Sequence, residues 1–347
     1  AISGVTMTNT SPISQVATIE VTPTFDNEGI SCTGSPKTFK ITVNPAAQVN
    51  PIPSEVVCNG DSTTPITFST SNTSGTTTYS WTNDNTSIGL APTGSTDIAA
   101  FTATNITTTP QVATIVVTPT YTFNGQVCSG PPETFQLTVN PSAQVNQPTA
   151  LILCEGELVP DIDFDTLNTG GTTTYDWTND NVNIGLSDPN GSGDIGSFIA
   201  LNSTGIPQTA NITVTPTFTN GLVSCSGTPK SFTITVNPSA QVNPIGSTTV
   251  CAGELIPKIE FTSTTVGTTY AWTNNNTSIG SISASGTGDI SAFSATNTST
   301  IPQTATITVT PTYTENGSSC TGLPETFTIT VNPAAEMNPP SDEVFCA

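Results

Sequence analysis

Apolar and polar residues alternate in short runs along this chain, and no apolar stripe of helical period persists for a useful length. In residues 46–141 the runs are 47–57 (AQVNPIPSEVV), 65–70 (PITFST), 76–84 (TTTYSWTND), 96–105 (TDIAAFTATN), 111–123 (QVATIVVTPTYTF) and 133–139 (ETFQLTV). Val, Ile, Thr and aromatic residues fill them, and Gly, Asn, Asp, Ser and Pro fill the gaps. Short β-rich runs bounded by turn residues predict strands, with a further short strand in the loop 83–95. The proline-broken run 47–57 suits a sheet edge, because proline has no N–H to give a ladder. Tyr79 and Trp81, two apart, share one face of their strand. Ile98 and Phe101 break strict alternation, which predicts a bulge. Pro119 lies inside the run 111–123, so the hairpin beyond it is expected to leave the sheet and overhang the end of the domain.

The whole pattern recurs. Tryptophans stand at Trp81, Trp177 and Trp272, each two residues after Tyr79, Tyr175 or Tyr270. Equivalent cysteines are 95 to 97 residues apart. A fixed period of this size marks a tandem array. Val-Asn-Pro, with its proline at 45, 141, 238 and 333, marks the seams. The expected boundaries are therefore the back of a repeat at 1–45, full repeats at 46–141, 142–238 and 239–333, and the front of another at 334–347. A chain that starts and stops within a repeat is expected to be a window on a longer protein. About 96 residues suffice for a two-sheet sandwich with its own core, and a Trp on the third strand fits an immunoglobulin-like arrangement. Trp81, Trp177 and Trp272 are then core residues. The fold class expected is all-β: tandem immunoglobulin-like sandwiches forming an elongated rod.

Charge narrows the partners. Four Lys, no Arg or His and 25 acidic residues leave a net charge of −21. Nothing here neutralises phosphates, so nucleic acid and anionic membrane surfaces are excluded as partners. Such a charge favours solubility and repulsion between neighbouring molecules. Few basic residues also leave trypsin-like proteases little to cut. No apolar run approaches the roughly 20 residues that span a bilayer.

The eight cysteines, in a chain without His or any Cys-x-x-Cys pair, predict disulfides rather than zinc, and hence an oxidising, extracytoplasmic setting. Four follow the first strand of a repeat (Cys58, Cys154, Cys251, Cys346), and four sit at the tip of the last hairpin (Cys32, Cys128, Cys225, Cys320). Repeat symmetry allows three patterns. Partners 26 positions apart pair across a seam, each repeat closes on itself (as Cys58–Cys128), or the first turn of one repeat bridges to the hairpin of the next (Cys58–Cys225 and Cys154–Cys320). In an immunoglobulin-like sandwich the first turn and the last hairpin lie at opposite ends. That topology favours the third pattern and puts Cys58 and Cys128 about 35–40 Å apart.

Candidate chemistry is sparse. Without His, and with Lys37, Lys40, Lys230 and Lys258 scattered, no nucleophile–base pair can be built, so the chain is expected not to be an enzyme and to need no cofactor. Asp161, Asp163 and Asp165 share one strand face but have no acidic set in register in the other repeats, which reads as a solvated face. Asp84, Asp97, Asp180, Asp194 and Asp289 are weak calcium candidates, because the segments around Trp81, Trp177 and Trp272 are rich in side-chain oxygen. Turn stabilisation by Asn and Asp is the plainer reading.

The motifs VCNGDSTTPITF, YSWTNDNTSIGL, ATIVVTPTYT and CSGPPETFQLTVNP resemble the PKD-like, immunoglobulin-like repeats of large Bacteroidota surface proteins. The association is with long gliding-motility adhesins of the SprB type, exported by type 9 secretion. Trp-Thr-Asn-Asp-Asn stands where the ordinary PKD domain has Trp-x-Phe-Gly-Asp-Gly, so the PKD likeness is loose there. The resemblance implies an extracellular, cell-surface stalk that extends, stiffens and presents an adhesive surface to a substratum, a surface polysaccharide or other surface proteins. It also implies O-glycosylation at Ser62 and Thr166, where Asp-Ser-Thr and Asp-Thr-Leu resemble an acceptor motif of that group. Alternatives are a carbohydrate-binding array and a spacer in a secreted multidomain enzyme.

Overall fold

The computed structural model describes residues 4–315, 317–337 and 341–343. The described residues of the first partial repeat form four strands: β1 (Gln15–Val21), β2 (Thr24–Asn27), β3 (Ile30–Thr33) and β4 (Lys37–Val43). β1 pairs antiparallel with β4 and β2 with β3. The next repeat contains β5 (Glu55–Cys58), β6 (Thr76–Asn83), β7 (Thr93–Gly94), β8 (Gln111–Phe123), β9 (Gln126–Ser129) and β10 (Glu133–Asn140). They form one sheet in the order β5-β10-β8-β6-β7, with β9 added to the far half of β8.

The third stretch has β11 (Leu151–Cys154), β12 (Leu158–Val159), β13 (Thr172–Asn179), β14 (Asn190–Ser192), β15 (Phe198–Ile199), β16 (Gln208–Asn220), β17 (Val223–Ser226) and β18 (Lys230–Asn237). The fourth has β19 (Thr248–Cys251), β20 (Leu255–Ile256), β21 (Thr269–Asn274), β22 (Ser285–Thr287), β23 (Phe293–Ser294), β24 (Gln303–Glu315), β25 (Ser318–Thr321) and β26 (Glu325–Asn332). Both repeat the six-stranded order of the first sheet. The chain is thus all-β, a series of immunoglobulin-like sandwiches, and among the described residues the helical content is three short 3-10 turns.

The run 47–57 becomes a strand only at β5, which pairs in parallel with β10. Pro51 and Pro53 deny the earlier residues two ladder donors, so that part stays irregular. The second layer is thin. Residues 62–66 and 98–102 meet through the isolated bridges Ser62–Thr102 and Ile66–Ile98, and β12–β15 and β20–β23 extend the same kind of contact to two residues each.

Proline does not turn the hairpin out of the sheet. β8 continues through Pro119 and stays paired with β6 as far as Thr122 opposite Thr76. On its other edge β10 stops at Val117 opposite Glu133, and β9 begins at Thr120 opposite Ser129. Pro119 falls in the gap between the two partners, where its missing N–H costs nothing, and its carbonyl accepts from the Gly130 amide at 3.2 Å. Pro216 and Pro311 accept likewise from Gly227 and Gly322.

The core lies between the main sheet and the thin layer. Trp81, Trp177 and Trp272 are only 7, 6 and 7% exposed, among Ile115, Val117 and Leu137 or their equivalents. Rings so buried present no face on which a sugar could stack. Each indole is covered by a glycine, Gly94, Gly191 or Gly286, at which a Cβ would collide with the ring. Phe68, Phe164 and Phe261 tilt against Tyr79, Tyr175 and Tyr270 with ring centres 5.4 to 5.6 Å apart.

The chain divides into two compact units. One holds residues 1–145, 166–174 and 215–228, and the other holds 146–165, 175–214 and 229–347.

Because each core is built around one tryptophan, Trp272→Ala is expected to destabilise its repeat by about 3–5 kcal/mol. Denaturant unfolding would show this as an early transition, with the emission of Trp81 and Trp177 changing only later.

Candidate functional site: the joints between repeats

The seams carry the cross-links. In the first unit Cys58, at the end of β5, is bonded to Cys225 on β17, with Cα atoms 5.5 Å apart. In the second unit Cys154, at the end of β11, is bonded to Cys320 on β25 at a Cα separation of 5.4 Å. Each bond runs from the first turn of one repeat to the last hairpin of the following repeat. Cys32, Cys128 and Cys251 are free thiols, and Cys346 lies outside the described residues.

Strand geometry delivers the sulfurs. Parallel pairing puts Cys58 opposite Asn140 and Cys154 opposite Asn237, so the first-turn cysteine stands beside the Asn of Val-Asn-Pro. Antiparallel pairing puts Cys225 opposite Phe218 and Cys320 opposite Tyr313. The aromatic two residues after the strand proline thus anchors the hairpin, and Tyr121, Phe218 and Tyr313 are 0, 0 and 6% exposed. In the second unit Tyr313 and Cys320 pack with Ala240, and Cys154 lies against them.

The Asn of Val-Asn-Pro clasps the same hairpin. Asn140 Oδ1 accepts from Asn220 Nδ2 at 3.0 Å, and Asn237 Nδ2 donates to the Glu315 carbonyl at 3.4 Å. Asn44 donates to the Phe123 carbonyl at the first seam, also at 3.4 Å. Two residues beyond the seam proline, the backbone of Ala47, Ala143 or Ala240 presses on Gly130, Gly227 or Gly322, where any Cβ would collide with it. The Cys-x-Gly spacing is therefore a packing requirement, with glycine admitting the alanine carbonyl.

The acidic candidates have structural partners. Asp97, Asp194 and Asp289 accept from the backbone amides of Phe68, Phe164 and Phe261 at 2.9, 2.7 and 2.9 Å. Asp84 and Asp180 accept from the Thr114 and Asn211 amides, both at 2.7 Å. Asn275 holds the equivalent Thr306 amide at 2.7 Å, so that place needs an oxygen and no charge. Among the described residues no three acidic or cysteine side chains are grouped to hold a metal ion. Ser62 is exposed, whereas Thr166 is half-buried and its hydroxyl donates to Asn168 Oδ1 at 3.1 Å.

Recurrent asparagines close the loops. Asn83 and Asn179 donate to the Leu90 and Leu186 carbonyls at 3.0 and 2.9 Å. Asn85, Asn181 and Asn276 cap the 3-10 turns. Asn105, Asn202 and Asn297 donate to the Val139, Val236 and Val331 carbonyls at 2.7, 2.8 and 2.8 Å. Trp-Thr-Asn and the Asn that ends each 96–105-type run are thus signatures of folding.

Lys258 lies 2.9 Å from Asp289 and 3.0 Å from Glu260. The ammonium and the Phe261 amide hold the Asp289 carboxyl below its ordinary value, and the carboxylates raise Lys258. A depressed carboxyl contributes stability above its unfolded value and loses it as pH falls through the folded one. Carboxyl titration by NMR should place Asp289 below an ordinary aspartate, and Lys258→Met should return it upward. The stability difference between the two proteins should close at the acid end.

Residues 248–335 match the family model described as a PKD-like domain. No curated protein matches the chain. Among solved structures, the human desmocollin-1 ectodomain is 12% identical with a TM-score of 0.31, covering 91% of this chain and 68% of that one. Drosophila N-cadherin EC1-4 is 13% identical with a TM-score of 0.33, covering 91% and 83%. Three N-terminal domains of the bacteriophage RB49 Hoc capsid protein are 15% identical with a TM-score of 0.36, covering 84% and 99%. One sheet order is repeated three times, so the chain is a series of immunoglobulin-like β-sandwich repeats, the last of which matches the PKD-like family model.

Proposed function

We propose that this chain is the stalk region of a long extracellular cell-surface adhesin of the gliding-motility type, exported by type 9 secretion. It works mechanically and without catalysis or a cofactor. The observation that carries this reading is the disulfide from the first turn of one repeat to the hairpin of the next, present at both Cys58–Cys225 and Cys154–Cys320. A spacer that only separates two domains has no need of a covalent tie at each seam, whereas a load-bearing element does. Disulfides persist in oxidising compartments, which supports the extracellular setting. Net charge of −21 supports solubility at a crowded surface. The adhesive partner is proposed to be a substratum, a surface polysaccharide or another surface protein.

The two bonds interlock along the chain. Cys58 reaches Cys225, Cys154 reaches Cys320, and the segment between Cys154 and Cys225 belongs to both loops. Tension between Cys58 and Cys320 is thereby shared by three routes, and the shortest contains about 71 residues. Even fully unfolded, that span extends to roughly 25 nm at ~3.5 Å per residue. Without the bonds it extends to roughly 90 nm by the same measure. Single-molecule pulling from the two ends is expected to show the shorter limit for the oxidised chain and the longer limit after reduction. Release of the full length from the oxidised chain would sink the load-bearing reading.

A further inference from the structure

The repeats share one backbone plan, so a position that differs between them shows what the fold itself does not require. On the outer face of the thin layer, repeat 46–141 pairs Ser62 with Thr102, repeat 142–238 pairs Leu158 with Ile199, and repeat 239–333 pairs Leu255 with Ser294. Two residues further along stand Thr104, Leu201 and Thr296, whose amides donate to the Ile88, Ile184 and Ile279 carbonyls at 3.0, 2.9 and 2.8 Å. Alternation turns all of these outward, since Ala103, Ala200 and Ala295 between them are buried. The same backbone therefore carries three hydroxyls in repeat 46–141 and three aliphatic side chains in repeat 142–238.

Leu158, Ile199 and Leu201 are 62, 49 and 52% exposed. Leu158 and Ile199 oppose each other across the antiparallel pair β12–β15, so their side chains adjoin, and Leu201 follows on the same face. Single exposed aliphatics are ordinary, whereas a contiguous group marks a contact surface. The core makes no use of this one, because Val159 and Ala200 are the residues of these strands that fill the interior. Negative charge lies beside it. Asp161 Oδ1 accepts from the amide of Ser197, two residues before Ile199, at 2.6 Å. Asp163 is exposed on the same side, since Ile162 bridges to Ile195 and Phe164 is buried. In repeat 239–333 the same two places hold Lys258 and Glu260, which pair with each other.

We propose that the Leu158–Ile199–Leu201 face is a docking surface for an extended, basic segment of a partner protein. One face of that segment carries aliphatic side chains followed by Lys or Arg at alternate positions. The aliphatics cover Leu158, Ile199 and Leu201, and the cations meet Asp161 and Asp163. Charge selects this occupant: the carboxylates beside the patch and the net charge of −21 attract a basic partner and set two copies of this chain against each other. The proposal rests on the adhesive part of the function proposed above and names a partner for it by chemistry. The pulling limits of the stalk do not depend on it.

The test is a titration of the full chain, at physiological salt, with the labelled peptide Leu-Thr-Leu-Thr-Lys-Thr-Lys, read by fluorescence anisotropy and by methyl NMR. Saturable binding is expected, with shifts at the Leu158, Ile199 and Leu201 methyl groups. Replacing the two leucines of the peptide by serine, or its lysines by glutamate, is expected to weaken binding about tenfold or more. The combined variant Leu158→Ser, Ile199→Thr, Leu201→Thr is expected to weaken it as much. Its side chains are those that repeat 46–141 already carries at these positions, and formation of Cys154–Cys320 checks that the variant folds. Asp161→Asn with Asp163→Asn is expected to weaken binding and to flatten its salt dependence. Absence of saturable binding to the unaltered chain would overturn the proposal, as would equal affinity for the combined variant or for the serine peptide. Self-association of the chain that the combined variant abolishes would give the face to a second copy and overturn it too.

Discussion

The architecture depends on the contact of a hairpin with the repeat before it. A hairpin cysteine, an aromatic opposite it and a side-chain-free glycine meet a first-turn cysteine, a seam asparagine and an alanine carbonyl. The repeats at 46–141 and 239–333 each hold a core that contains their own tryptophan. At the two bridged seams the joint adds a second covalent path beside the peptide chain. A peptide linker alone leaves neighbouring domains free to move, since interfaces between domains are small and polar by default. The bond removes that freedom where it is present.

Much of this is written in short-range signals. The tryptophan period, the Val-Asn-Pro seams and the alternation of apolar residues read directly as repeated sandwiches, because a strand exposes its periodicity locally. Topology favours the bridge from Cys58 to Cys225 over the other two patterns once the first turn and last hairpin are put at opposite ends of a repeat, and the structure has that bridge. The aspartates were less legible. Asp84 and Asp97 look like oxygen ligands in a loop, and only the backbone amides of Thr114 and Phe68 show what they hold. Asn275 in the place of an aspartate is the one sequence clue that charge is dispensable there.

Pro119 misleads for a physical reason. A proline ends a strand only if its nitrogen faces a partner that needs a donor, and which partner it faces is set by the register of three strands at once. Here it faces the break between β9 and β10, so β8 runs through it unharmed. The glycines are illegible for a similar reason. Nothing local distinguishes Gly94, which lies on an indole, or Gly130, which lies on an alanine carbonyl, from an ordinary turn glycine. Their role appears only when segments distant in sequence are brought together.

The central claim is that the cysteines tie neighbouring repeats rather than close each one. Peptide mapping of the native chain under non-reducing conditions addresses it directly. Cross-linked peptides joining Cys58 to Cys225 and Cys154 to Cys320 are the predicted result. A peptide joining Cys58 to Cys128, or one joining Cys128 to Cys154, would contradict it.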